Sequence, residues 1–132
     1  MNKPDDFEVN SDIYAYTLLA QHDDHHFVAY IIHSEQVCFN WRRIQIQMTP
    51  DELLEVADFL QEIRPQLETN SLRGNAHYCV IQDDRNNFEV WLLGVGLYLK
   101  PDEFEHIINL TINGSNAIRA RAKFGSSNEI LH

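Results

Sequence analysis

Nowhere does the chain string together the roughly twenty apolar residues that a helix needs to span a bilayer, so no membrane-crossing helix is expected. Cysteine is scarce. The two that occur, Cys38 and Cys79, form no C-x-x-C and do not fall at equivalent positions of the repeat described below. That excludes a disulfide scaffold and a zinc ribbon, and leaves two reduced, small, buried side chains as the expectation. Basic residues are few as well: ten Lys and Arg face twenty Asp and Glu, for a formal charge of −10. Such a chain repels a phosphate backbone and an anionic lipid surface, so neither nucleic acid nor a membrane is an expected partner. The one basic stretch, Arg119, Arg121 and Lys123, is embedded among Gly, Ser and Asn. The opening Met1-Asn2-Lys3-Pro4-Asp5-Asp6 lacks the basic start and apolar core of a secretory signal, which makes the cytoplasm the expected location. Catalytic and cofactor signatures are also missing. Gly94-Val95-Gly96 sits inside a strand pattern without the Gly-Lys-Ser/Thr of a phosphate loop, and no cofactor is expected.

What is present is an ordinary globular composition, 44% hydrophobic with seven Phe, five Tyr and two Trp, in a length of 132 residues that suits one domain. The chain also repeats itself at a spacing of 51 residues. His26-Phe27-Val28-Ala29 lies over His77-Tyr78-Cys79-Val80. Ile44, Ile46, Met48, Pro50, Asp51 and Glu52 lie over Val95, Leu97, Leu99, Pro101, Asp102 and Glu103. The helical spacing of Leu53, Val56 and Ala57 recurs in Phe104, Ile107 and Ile108. One ββα unit therefore occurs twice, over 26–63 and 77–112.

Strands are expected over Ile13 to Gln21 and Phe27 to His33, joined by a polar turn at His22-Asp23-Asp24-His25. A third extended segment runs from Gln36 to Met48, and Thr49-Pro50-Asp51-Glu52 then opens a helix that Pro65 stops. After a connector with a Gly74-Asn75 turn come Tyr78 to Ile81, Phe88 to Leu99, and a shorter helix from Pro101 that Asn113-Gly114 should end. In both long segments the apolar phase changes midway, from Val37, Phe39 and Trp41 to Ile44, Ile46 and Met48, and from Phe88, Val90 and Leu92 to Val95, Leu97 and Leu99. Strict alternation forces one residue to be absorbed there, by a β-bulge, the preferred account, or by a two-residue turn at Arg42-Arg43. The expected fold is α+β: an antiparallel sheet of about five strands with two helices on one face, built from the ββα duplication plus an extra N-terminal strand. Residues 1–11 form a lead-in, 12–112 the single domain, and 113–132 a tail.

Strands one and two are apolar on both sides, so the face away from the helices needs cover, and a symmetric homodimer is the commonest way to provide it. On that face the pattern places Tyr14, Tyr16, Tyr30, Trp91 and Tyr98, with Gly94 and Gly96 leaving room between rings, as an interface core or ligand groove would. His22, Asp24, His25 and His26, with Asp23 among them and His33 at the other end of the hairpin, are the densest set of metal-ligand types. A solvated polar turn is the plainer account, because the spacing does not align the imidazoles. Asp51, Glu52, Asp102 and Glu103 fit helix starts better than acid–base pairs, and His26 and His77, both at strand starts, have no nucleophile assigned to them. The favoured function is a non-enzymatic, homodimeric, protein-binding module. The alternatives are a metal-dependent enzyme using the His22–His26 turn and a small-ligand sensor with a groove near Gly94 and Gly96.

Overall fold

The structure, a computed structural model, describes residues 15–64 and 72–131, with 122–131 described by backbone alone. It is α+β. In chain order the elements are β1 (Tyr16–Asp23), β2 (His26–Ile31), β3 (Gln36–Trp41), β4 (Ile44–Met48), α1 (Pro50–Ile63), β5 (Leu72–Gly74), β6 (Tyr78–Gln82), β7 (Phe88–Leu92), β8 (Val95–Leu99) and α2 (Pro101–Leu131). The expected single sheet of about five strands is replaced by two four-stranded antiparallel sheets, ordered β1-β2-β3-β4 and β5-β6-β7-β8. Tyr14, Ile13, the lead-in and Pro65 lie outside the described residues.

Two of the three extra strands come from the phase changes, and the third, β5, forms in the stretch expected to be a connector. No bulge absorbs the phase changes. A two-residue turn splits each long segment, at Arg42-Arg43, where Trp41 pairs with Ile44, and at Leu93-Gly94, where Leu92 pairs with Val95. Two-residue hairpin loops need positive φ to match the strand twist, and Arg42 (59°), Leu93 (52°) and Gly94 (88°) supply it. The bulges fall instead in β1, between Leu18 and Ala20 and between Gln21 and Asp23. Gly74 does not make a turn with Asn75 but closes β5, paired with Cys79.

The two halves share an element order, four strands and a helix, yet the gapless 51-residue spacing fails at the first hairpin of each. Phe39 and Val90, 51 apart, pair with Val28 and Val80, which are 52 apart. Val80 and not Cys79 is therefore the counterpart of buried Val28. The apolar content of β2 and β6 on both sides hid this slip, since a shift by one exchanges one hydrophobic face for another.

Helix α1 starts as its sequence requires. Thr49 Oγ1 accepts the Glu52 N–H at 3.1 Å, Glu52 Oε1 accepts the Thr49 N–H at 2.8 Å, and Pro50 fills the first turn. Leu53, Val56, Ala57, Leu60 and Ile63 form its buried stripe. Helix α2 has half of that start, because Lys100 offers only its N–H, bonded to Glu103 Oε1 at 2.9 Å. It does not end at Asn113-Gly114. Gly114 is buried in mid-helix, where an added Cβ would come within 3.2 Å of Val28 Cγ1 and 3.4 Å of Leu53 Cδ2. Glycine here permits close packing of α2 on the first sheet and on α1, and the residues from 113 to 131 continue the helix rather than form a tail. The core is one cluster drawn from both halves, with Phe39, Val90, Leu60 and Ile107 within it and the Phe88 and Phe104 rings stacked at 4.1 Å. Among the described residues no helix is long and apolar enough to cross a membrane.

Candidate functional site

The ladder registers fix which side chains face away from the core. On the first sheet, Val28, Phe39 and Ile46 point inward, so Phe27, Ala29, Ile31, Cys38, Gln45 and Gln47 share the outer face, with Tyr16 beside Ile31 at the β1 edge. These residues, with His33 and Ser34 from the β2–β3 turn, line a groove of about 430 Å³. The groove is shallow and mainly apolar. Tyr16 is 58% exposed and nearby Leu18 45%, so the cover predicted from the two-sided apolar strands is not supplied within the described residues. Burial pushes the Cys38 thiol above its ordinary range, which disfavours the thiolate and with it nucleophilic chemistry.

On the second sheet, Val80, Val90 and Leu97 point inward, and Cys79, Trp91, Gly96, Glu89 and Tyr98 face out. Trp91 is 40% and Tyr98 60% exposed. Their polar ends are already engaged: the Trp91 indole N–H donates to Glu89 Oε1 at 2.6 Å, and the Tyr98 hydroxyl donates to Asp83 Oδ2 at 2.6 Å while accepting from Asn87 Nδ2 at 3.0 Å. The room beside Gly96 is filled by the indole, since a Cβ there would lie 2.9 Å from the Trp91 ring. Gly94 belongs to the β7–β8 turn and has nothing within 4 Å of its would-be Cβ. The indole thus takes up the room at Gly96, while the space at Gly94 is open.

Tyr30 is not on this outer face. It shares the inward side of β2 with Val28, and the Arg121 guanidinium of α2 stands 4.8 Å from its ring centroid, a cation–π contact. Of the expected aromatic set, Tyr16 lies on one outer face and Trp91 and Tyr98 on the other, so they are not one cluster.

The histidine turn has a structural account. Asp23 Oδ1 accepts the His25 N–H at 2.8 Å and stands 2.7 Å from His26 Nδ1, closing the β1–β2 turn. The carboxyl of Asp23 is held below its ordinary range first by the His25 N–H, with His26 adding to the effect. The His25 carbonyl accepts the Arg42 N–H at 2.7 Å and the Asn40 Nδ2 at 2.8 Å, which ties this turn to the β3–β4 turn. His26 packs edge-on against Trp41 at 4.3 Å, and His22 stacks at 3.9 Å on His106 of α2. Asp24 is exposed, His33 has moved into the groove lining, and His77 is exposed at the start of β6 with its N–H on Asn75 Oδ1. Among the described residues no three His, Cys, Asp or Glu side chains stand together in a way that could hold a metal ion.

The carboxylates at the helix starts are likewise engaged structurally, Glu52 in its capping box and Glu103 with Lys100 N and with the Arg42 guanidinium. The groove residues Ala29, Ile31, Cys38, Gln45 and Gln47 were missed by the sequence reading. Their signal was present in the two-sided apolar strands and in the alternation Ile44-Gln45-Ile46-Gln47, which puts neutral amides where a solvated face usually carries charge. His106 had no signal, because its partner His22 lies 84 positions away. Comparison with protein-family models, with curated proteins and with solved structures gave no match.

Proposed function

We propose that this chain is a non-enzymatic, homodimeric module of the cytoplasm that acts by binding another protein. The observation behind it is the outward, solvent-facing placement of Tyr16, Leu18, Trp91 and Tyr98 on sheets whose other faces are closed by one core. Amphipathic rings and aliphatic side chains left in water on sheet faces are what association surfaces present. The negative charge adds a preference among partners, since −10 steers basic proteins toward the chain and acidic ones away. We further read the two halves as copies of one ancestral unit, on the strength of the shared element order and the 51-residue spacing from β3 through the helix start.

Native mass spectrometry of the purified full chain tests the dimer. A species of twice the 15.4 kDa chain mass at micromolar concentration is expected. A monomer throughout that range refutes the homodimer.

A further inference from the structure

We infer that the second copy of the chain sits on the outer face of the first sheet, groove against groove about a two-fold axis. The inference rests on the homodimer reading and assigns its surface. The nine residues lining this groove include no Asp, Glu, Lys or Arg, in a chain with twenty acidic side chains. That neutrality decides the occupant. Two chains of charge −10 that meet through most of their surface must bring carboxylates together, at a cost in repulsion and desolvation. The groove lining itself brings none. A basic partner would find no carboxylate in the groove to pair with, and an acidic one no cation.

The polar groups that are present suit a copy of themselves. The Gln45 and Gln47 amides and the Tyr16 hydroxyl each donate and accept, so under two-fold symmetry each set can satisfy its own duplicate. Phe27, Ala29, Ile31 and Cys38 form the apolar floor between them. The second sheet is the poorer seat for a copy. Its Trp91 and Tyr98 already spend their donors on Glu89 and Asp83, and two such faces would set those carboxylates against one another. That face is left for the foreign partner.

The test compares the wild-type chain with Gln45→Lys/Gln47→Lys, by sedimentation and native mass spectrometry, with thermal melting followed by circular dichroism as the check on folding. Both glutamines are exposed, so the fold tolerates the change. Four ammonium groups meeting across the axis should raise the dimer dissociation constant by about 100-fold or more. Leu72→Lys, on the outer face of the second sheet, should leave it unchanged. A wild-type monomer overturns the homodimer reading and this assignment with it. A wild-type dimer that the double substitution does not weaken, or that Leu72→Lys breaks instead, overturns the assignment alone. Hydrogen–deuterium exchange on the wild-type chain needs no variant: dilution through the dimer–monomer transition should deprotect β2 to β4, and deprotection confined to β7 and β8 contradicts the inference.

Discussion

The outer faces of the two sheets have the same strand order behind them and opposite surface chemistry. The first is an open groove floored by Phe27, Ala29, Ile31 and Cys38 and edged by neutral amides. The second is an aromatic face closed on itself, with the Trp91 indole over Gly96 and bonded to Glu89, and Tyr98 bonded to Asp83 and Asn87. Exposure alone does not separate them, because Tyr16 and Tyr98 are about equally exposed at 58% and 60%. The difference lies in whether the polar end of each ring has a partner among the described residues. A face whose donors are free is prepared for another surface, whereas one whose donors are taken presents a set shape.

Inside, the comparison reverses, since the halves share one core and should lose stability together. Phe39 and Phe104, one from each half, are both buried to within 2% of complete. Phe39→Ala and Phe104→Ala should each cost about 3–5 kcal/mol, from lost transfer energy and the cavity left behind. Denaturant unfolding of each variant should remain one cooperative transition. Two separated transitions, with one half melting before the other, would show that the halves have separate cores.

Gly114 joins them. A leucine there must force α2 away from Val28 and Leu53, and Gly114→Leu should destabilise by about 1–3 kcal/mol despite leucine's better helix propensity. A neutral result by thermal denaturation would mean that α2 packs on the first sheet more loosely than its contacts indicate.

This residue also shows where the sequence was legible and where it was not. The start of α1 could be read completely, because a cap is local: Thr49, Pro50 and Glu52 specify it within four positions. The buried stripe of α1 was legible for the same reason. The end of α2 was not. Asn113-Gly114 carries a local stop signal, and the requirement that overrides it is contact with Val28 and Leu53, both remote in sequence. The strand count failed for a related reason. A phase change fits a bulge as well as a turn, and neither Arg42 nor Leu93 is a residue that favours positive φ. At the candidate site, the face assignment of Tyr30 depended on a pairing slip of one residue, which β2, apolar on both sides, does not reveal. The groove was foreseen as uncovered apolar surface but not located, since it requires the register of β2, β3 and β4 together.

The two helix starts allow a smaller test. Thr49→Ala removes the hydroxyl that accepts the Glu52 N–H and should cost about 1 kcal/mol. Lys100→Thr should act in the other direction by a similar or smaller amount. Glu103 already returns its half of the box to Lys100 N, and only the side-chain acceptor is missing. Measuring both variants by urea denaturation sharpens the contrast. If Lys100→Thr gains nothing, the Arg42–Glu103 ion pair, which also holds this turn, has taken the place of the cap.

The smallest effect concerns two aspartates that close hairpin turns, Asp23 between β1 and β2 and Asp83 between β6 and β7. Asp83 is held below its ordinary value of 3.8 first by the Tyr98 hydroxyl, and then by the backbone N–H groups of Asn87 and Arg85. Asp23 is lowered first by a backbone N–H, that of His25. A carboxyl depressed by folding contributes stability that is fully present above its unfolded value and is lost as pH falls through the folded one, so both turns weaken in acid. Tyr98 has the opposite sign. Asp83 raises it above 10.0, and its contribution is present below that value and lost as pH climbs through the folded one. Tyr98→Phe should therefore move Asp83 back toward 3.8, leave Asp23 where it is, and remove the alkaline loss. Carboxyl titration by NMR reads both aspartates in one experiment. Should Asp83 keep its low value in the variant, its backbone donors alone hold it, the two turns are alike, and the tie between Tyr98 and Asp83 no longer distinguishes the closed face from the open one.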